Sequence, residues 1–254
     1  MEPSPSPIQV VDLGRTTELS YTDLNFKSEF KGLSDYQDIS AQQLGQADAV
    51  RGTKDIHVMG LEFHPVITLG VRGNRDHDIA QPDIDSKIPV VQTDRGGQAT
   101  MHVPGQLVIY PMMDLKTYAI GVRDFVCIVT KATSAVLKKY GIESISGEAP
   151  GLYTAAGKIA FLGIRLDRGV VRHGLAINVC NDVSIFSAIR SCGVSAATLD
   201  KVQSYESASG LSLESLFNDW IIEFQRELDL VQRAINEICS LQSAKDPLTI
   251  VANH

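Results

Sequence analysis

Residues 95–111, RGGQATMHVPGQLVIYP, constrain this chain more than any other stretch. An Arg, a Gly pair, a Thr, a His and a Pro-Gly crowd into one loop-like run that passes directly into a strand-like one. The Gly pair admits φ > 0 and lets a ligand approach the backbone closely. Arg95, Gln98, Thr100, His102 and Gln106 set five hydrogen-bonding side chains on that backbone. Loops fixed at both ends by strands are common homes of function. Taken alone, a glycine-rich turn and a ligand loop explain the stretch equally well.

The flanking patterns give an α+β reading. Pro89–Asp94 (PVVQTD) reads as the strand entering the loop and Gln106–Met113 (QLVIYPMM) as the strand leaving it. Upstream, Asp55–Phe63 (DIHVMGLEF) alternates as a strand does, and His64-Pro65 ends it before Val66–Leu69. Residues 71–88 are polar with Gly and Pro and read as a surface loop. Residues 21–50, with Leu24, Phe26, Phe30, Leu33 and Leu44 scattered through polar positions, read as helix. Ile8–Leu13 reads as a short strand, and residues 1–7 as a disordered Pro/Ser tail.

From Val122 the period changes. Val122, Phe125, Val126, Val129, Thr133, Val136, Leu137 and Tyr140 follow the i, i+3, i+4, i+7 rule of an amphipathic helix. Lys138 and Lys139 suit its last turn, and Gly141 its C′ position. Residues 151–179 read as three strands in an antiparallel meander, with Asp167-Arg168-Gly169 as a hairpin turn. Ile185, Phe186 and Ile189 suggest a helical turn, with Cys192-Gly193 in a loop beyond it. Ser212 is a plausible N-cap for a long helix over 212–240. The economical reading is one domain over 8–254: a mixed, largely antiparallel sheet carrying helices on one side.

Composition narrows the function. The chain has 23 basic and 30 acidic residues, a net charge of −7, which argues against binding nucleic acid along its phosphates. No apolar run has transmembrane length, and the N-terminus lacks the basic region and apolar core of a secretory signal. These features point to a cytoplasmic protein with reduced thiols and no membrane partner. Cys127, Cys180, Cys192 and Cys239 form no CxxC pair, so no zinc site is expected.

Three further features carry chemistry. Lys158 opens an apolar strand (GKIAFLG), where a lysine usually keeps its amine in water. His173, Gly174 and Asn178 share another strand (HGLAIN), where a histidine is more often structural than catalytic. Cys192 lies in a Ser-Cys-Gly loop, where the Gly opens room for a substrate carbonyl. A thiol is mostly protonated at neutral pH, and a neighbouring Lys or His shifts it toward thiolate. A Lys beside a Cys takes its proton if burial depresses the amine's own pKa. Such a Cys–Lys pair suits thioester exchange, and Ile159–Ile164 with Leu175–Val179 would line a slot for an alkyl chain.

With HPVITLG at 64–70, the 95–111 stretch, GKIAFLGIRL at 157–166, HGLAINV at 173–179 and CGV at 192–194, the chain resembles the lipoate-protein ligase B family. Those enzymes are octanoyl-acyl carrier protein:protein N-octanoyltransferases. The resemblance covers residues 50–200 and implies the biotin/lipoate protein ligase catalytic fold. It implies that Cys192 attacks the octanoyl thioester and that Lys158 lowers the Cys192 pKa and moves protons. It implies an acyl pocket from Arg95, Gly96, Gly97, Gln98, Ala99, Thr100, Met101 and His102, from Phe161, Leu162 and Gly163, and from Gly174, Leu175 and Ala176. His173 and Asn178 would support it.

The donor would be octanoyl-acyl carrier protein. The acceptors would be lipoyl domains of 2-oxoacid dehydrogenases and the glycine cleavage H protein. Neither metal nor nucleotide is implied, because the thioester is already activated. The chain departs from the family at Met101 and Val103, where Tyr and Gly commonly flank the His. It departs also at Ser191, commonly Pro, and at Lys131, where the helix commonly carries Glu. Acyl carrier proteins are acidic, so a local basic patch including Arg72, Arg75 or Arg165 is expected near the pocket mouth. An ATP-dependent ligase of the same fold, a catalytically inactive acyl-binding protein and a cysteine hydrolase with His173 as base are the competing readings.

Overall fold

The computed structural model describes residues 25–81, 87–147, 149–190 and 198–245. The expected tail at 1–7, the strand at Ile8–Leu13 and the Cys192-Gly193 loop lie outside these residues. In chain order the elements are β1 (Asn25–Ser34), α1 (Tyr36–Val50), β2 (Asp55–Phe63), β3 (Val66–Leu69), the one-turn α2 (Arg75–Asp78), β4 (Val90–Gln92), β5 (Ala99–His102) and β6 (Gln106–Met112). Then come α3 (Val122–Lys139), β7 (Ile145–Ser146), β8 (Gly151–Tyr153), β9 (Lys158–Asp167), β10 (Val170–Asn178) and α4 (Leu213–Lys245).

The described strands form two sheets rather than the one expected. The larger has the order β1-β2-β6-β10-β9-β8-β7, and the smaller β4-β3-β5. In the larger sheet β1 and β2 run parallel while the other neighbours are antiparallel. The chain crosses from one sheet to the other between β5 and β6, inside the 95–111 stretch. What reads as one glycine-rich loop is a short loop at 95–98, a strand in the small sheet, a turn, and a central strand of the large sheet.

The β9–β10 hairpin forms where Asp-Arg-Gly predicts it. Arg168 and Gly169 both take positive φ, 51° and 103°, as a two-residue turn matched to strand twist requires. Its register places Gly174 opposite Gly163. A Cβ on Gly174 would lie 2.0 Å from the Ile109 carbonyl oxygen, so β10 and β6 approach there as only glycine permits.

Alternation along the central strands builds two cores. Leu107 and Ile109 of β6, with Leu175 and Ile177 of β10, face Phe125, Val129 and Val136 of α3 and Phe217, Trp220 and Phe224 of α4. Val108, Tyr110 and Ala176 point the other way, toward Ile39, Ala47 and Val50 of α1. Helices therefore cover both faces, not one. A third cluster joins the small sheet, through Ile67, Ala99 and Met101, to the helical turn at Phe186 and Ala188.

The expected caps form. Gly141 has φ 71° and donates to the Lys138 carbonyl at 2.9 Å, closing α3. Ser212 Oγ accepts from the Ser215 N–H at 3.1 Å, starting α4. The largest departure is at 21–50: its described part is an edge strand followed by a helix. Phe26 and Phe30 of β1 pack on α4, with ring centroids 6.3 Å from Phe224 and 5.9 Å from Phe217. Among the described residues, no helix is long and apolar enough to cross a membrane.

Candidate active site

A cavity of about 290 Å³ opens where the two sheets meet, at the lower end of the range for small-ligand pockets. One wall comes from the loop before β5, a second from β6, a third from β9 and β10, and a fourth from the start of α3. Arg95, Gly96, Gly97, Ala99, Thr100 and His102 line it, as do Phe161, Leu162, Gly163, His173, Gly174, Leu175, Ala176 and Lys158. Thirteen distant positions anticipated as pocket or support residues, and Lys158, thus converge on one space.

Three anticipated residues stand elsewhere. Met101 is fully buried in the small-sheet cluster, because alternation along β5 turns it away from Thr100 and His102. Gln98 contributes its backbone: its carbonyl accepts from Arg95 Nη2 at 2.7 Å. Asn178 lies fully buried behind the cavity wall. Cys192 is outside the described residues.

Arg95 holds the loop together from inside. Its Nε donates to Thr68 Oγ1 at 2.9 Å and its Nη2 to the Thr68 carbonyl at 2.6 Å. Its Nη1 donates to the Gly96 carbonyl at 3.0 Å. The Gly96 N–H then donates to the Ile164 carbonyl at 3.1 Å, tying the loop to β9. The guanidinium spends its fork of donors on three backbone carbonyls and the Thr68 hydroxyl, which stiffens a glycine-rich segment.

Lys158 is buried, contrary to the usual fate of a lysine at a strand start. Its Nζ lies 4.9 Å from the Phe161 ring centroid and 5.2 Å from that of Tyr153, so two aromatic rings frame the amine in the cavity wall. Its N–H donates to the Thr198 carbonyl at 2.9 Å and its own carbonyl accepts from Asp200 N–H at 3.0 Å. The chain that follows the Cys192 segment is thereby paired with the Lys158 backbone.

Two histidines reach the cavity. His173 Nε2 lies 2.8 Å from Asp94 Oδ1, and Arg172 contacts the other carboxylate oxygen. Burial pushes Asp94 upward, but the His173 and Arg172 bonds outweigh it and hold the carboxyl below its usual range. Burial also dominates at His173 and lowers its pKa despite Asp94. His173 has φ 59°, an uncommon conformation for a residue with a Cβ, and the carboxylate pair fixes its ring there. His102 is buried as well, and burial brings its pKa down to about 4. Its Nδ1 lies 2.7 Å from Gln106 Oε1.

Further wall residues come from outside the motifs: Tyr36 at the start of α1, Thr68, Val108, Tyr110, Pro150 and Ile164, with Val122 and Val126 from α3. The two valines belong to the apolar helical stripe and give no sign in sequence that they leave the core. Val108 and Tyr110 alternate with core residues along β6, a signal that the second face is also lined. Of the arginines expected near the mouth, Arg72 lines the cavity. Arg165 is exposed beside Ile164, and Arg75 belongs to α2.

The model of the lipoyl protein ligase A/B catalytic domain matches residues 35–224. The chain belongs to that family. It is 43% identical to an octanoyltransferase of Xanthomonas euvesicatoria over 152 residues, 59% of this chain and 64% of the relative. The aligned part thus spans just under two thirds of that enzyme. An octanoyltransferase of Shewanella halifaxensis is 36% identical over 200 residues, 78% of this chain and 89% of the relative. Among solved structures, the fold is similar to a bipartite lipoate protein ligase from Thermoplasma acidophilum, described with its E2 lipoyl domain. That match has a TM-score of 0.59 at 14% identity and covers 81% of this chain and 84% of the other. The expected ligase-like α+β fold is therefore borne out, with helices on both faces of the sheet.

Proposed function

We propose that this protein is an octanoyltransferase of lipoate biosynthesis, working through a Cys192 thioester. The observation that carries the reading is the apolar-walled cavity with buried Lys158 in its wall, the Lys158 backbone being paired to residues 198–200 just after the Cys192 segment. The octanoyltransferase relatives support the acyl group. The lipoyl domain described with the T. acidophilum ligase supports the acceptor class.

In the first half-reaction Lys158 takes the Cys192 proton. The thiolate attacks the carbonyl of octanoyl-acyl carrier protein, a C–S bond forms to Cys192, and the carrier thiol leaves with a proton. The alkyl chain occupies the apolar part of the cavity, lined by Val108, Val126, Phe161, Leu162, Leu175 and Ala176. In the second half-reaction a lysine amine of a lipoyl domain attacks the acyl-enzyme. The C–N bond forms, the bond to sulfur breaks, and the proton lost from nitrogen restores the Cys192 thiol. The acceptors are lipoyl domains of 2-oxoacid dehydrogenases and the glycine cleavage H protein, and the setting is the cytoplasm. The thioester carries its own activation, so the cycle consumes no nucleotide.

Intact-mass analysis tests this directly. Protein mixed with octanoyl-acyl carrier protein, without ATP, gains one octanoyl group, and Cys192→Ala gains none. Lys158→Ala slows adduct formation by about 10²-fold or more, the scale of a lost proton-transfer group. A lipoyl domain that becomes octanoylated while no adduct ever forms on the enzyme would sink the Cys192 mechanism.

A further inference from the structure

Gln106, Asn178 and Asp200 form a relay that ends on His102, and its direction is set by atoms that have one role only. The Asp200 carbonyl can only accept, so Asn178 Nδ2 donates to it at 3.0 Å. Asn178 Oδ1 then faces the opposite way and accepts from Gln106 Nε2 at 3.0 Å and from Asn181 Nδ2 at 3.2 Å. Gln106 Oε1 is left toward His102 Nδ1, and an amide oxygen cannot donate. The hydrogen between them therefore belongs to His102 Nδ1.

Asp200 is itself anchored. Its carboxylate accepts from Thr154 Oγ1 at 2.5 Å and Tyr205 OH at 2.6 Å on one oxygen, and from the Lys201 N–H at 2.8 Å on the other. The same residue pairs through its N–H with the Lys158 carbonyl. Gln106 and Asn178 are buried, so water does not turn the amides over. Burial keeps the His102 ring neutral at pH 7. With its proton on Nδ1, its lone pair is on Nε2, and the ring lines the cavity with Phe63 packed 5.5 Å from it.

We infer that His102 offers Nε2 to the acyl cavity as a fixed hydrogen-bond acceptor for the N–H of the incoming lysine amine, and that Gln106, Asn178 and Asp200 are positioning residues that set this tautomer. The inference rests on the amine transfer proposed above. One N–H of the neutral amine is held on His102 Nε2, which turns the nitrogen lone pair onto the thioester carbonyl. His102 keeps its own proton on Nδ1 throughout, and the proton released from nitrogen goes to Cys192 sulfur as the C–S bond breaks.

The test joins a spectrum to a split of the two half-reactions. In protein labelled with ¹⁵N-histidine at pH 7, His102 gives a protonated Nδ1 and a bare Nε2. Gln106→Met removes the acceptor opposite Nδ1. The tautomer then shifts toward Nε2–H, and single-turnover transfer from acyl-enzyme to lipoyl domain slows about tenfold or more. Acylation by the octanoyl carrier changes less than twofold. Gln106→Glu keeps an acceptor opposite Nδ1, and restores both the Nδ1–H spectrum and most of the transfer rate. A wild-type spectrum with the proton on Nε2 overturns the inference even if neither variant folds. Equal slowing of both half-reactions in Gln106→Met, the mark of a merely structural role, overturns it too. Absence of an octanoyl adduct on the wild-type enzyme sinks the transfer mechanism instead, and leaves the tautomer measurement standing.

Discussion

His102 shows how burial converts an ordinary residue into a specialised one. Its side chain is buried at the cavity wall and its neighbours Arg95 and His173 bear or can bear positive charge, so the folded protein disfavours a second ring proton. Its pKa falls from 6.5 to about 4. The unfolded chain therefore binds a proton more readily than the folded one between those values, and stability falls as pH drops through that window. The contribution is intact above pH 6.5, is lost progressively down to about pH 4, and amounts to on the order of 3 kcal/mol. Burial also lowers the pKa of His173, adding loss of the same sign. Urea denaturation at pH 7 and at pH 4.5 measures the drop, and His102→Asn is expected to flatten it. A wild-type stability that is constant across the window would show that the ring protonates freely in the fold. At this scale the sequence exposes which residues matter better than how they are turned. The motif names His102 and Gln106 together, but the orientation of the amide depends on a carbonyl at Asp200, 94 positions further along the chain.

Among the elements, α3 and α4 were legible because a 3.6-residue period repeats over several turns in each. Their contact is polar at its centre: Trp220 Nε1 donates to Thr133 Oγ1 at 2.9 Å, and that hydroxyl donates to the Val129 carbonyl at 2.7 Å. Thr133→Val keeps the shape and removes the acceptor, leaving a buried indole N–H unsatisfied. The expected cost is about 1–3 kcal/mol, read as a lower urea midpoint with an unchanged slope. Trp220→Phe placed in the Thr133→Val background is expected to cost less than it does alone, because the orphaned donor goes with it; additive effects would contradict the bond. The strand β1 was not legible for a plain geometric reason. Phe26 and Phe30 are four positions apart, and a spacing of four places two residues on one face of a helix and on one face of a strand alike. Parallel pairing with β2, which no local pattern announces, decides for the strand. The helix α1 falls inside the helix expected over 21–50, but its inward face is Ile39, Gln43, Ala47 and Val50, too thin and too polar to declare which side of the sheet it covers. Helices on one face are therefore the economical reading of the sequence.

For the molecule as a whole, five motifs spread over more than a hundred residues were enough to imply the ligase fold and a shared pocket. The division into two sheets was not implied, since Val66–Leu69 and Val90–Gln92 look like any other short buried strands. That division matters, because the cavity lies at the seam and the 95–111 stretch is the chain that crosses it. The stretch is thus a hinge of architecture as well as a wall of the site. Charge enters at the same scale. A chain with net charge −7 repels an acidic carrier at long range, so docking of the octanoyl-acyl carrier protein proposed above as donor requires cations placed where the thioester enters. Arg72 is exposed, lines the cavity, and is fixed to the loop by its N–H, which donates to the Gly97 carbonyl at 3.1 Å. Arg72→Glu replaces an attraction by a repulsion at that point. The KM for the carrier is expected to rise about tenfold, equivalent to about 1.4 kcal/mol. Raising salt from about 50 mM to about 500 mM narrows the difference between variant and wild type, because exposed charges are screened. A small octanoyl thioester without the acidic protein should be affected less than the carrier. An Arg72→Glu enzyme whose KM for the carrier matches wild type at low salt would mean that the carrier approaches from another side of the cavity, and Arg165, exposed beside Ile164 on β9, would become the cation to reverse next.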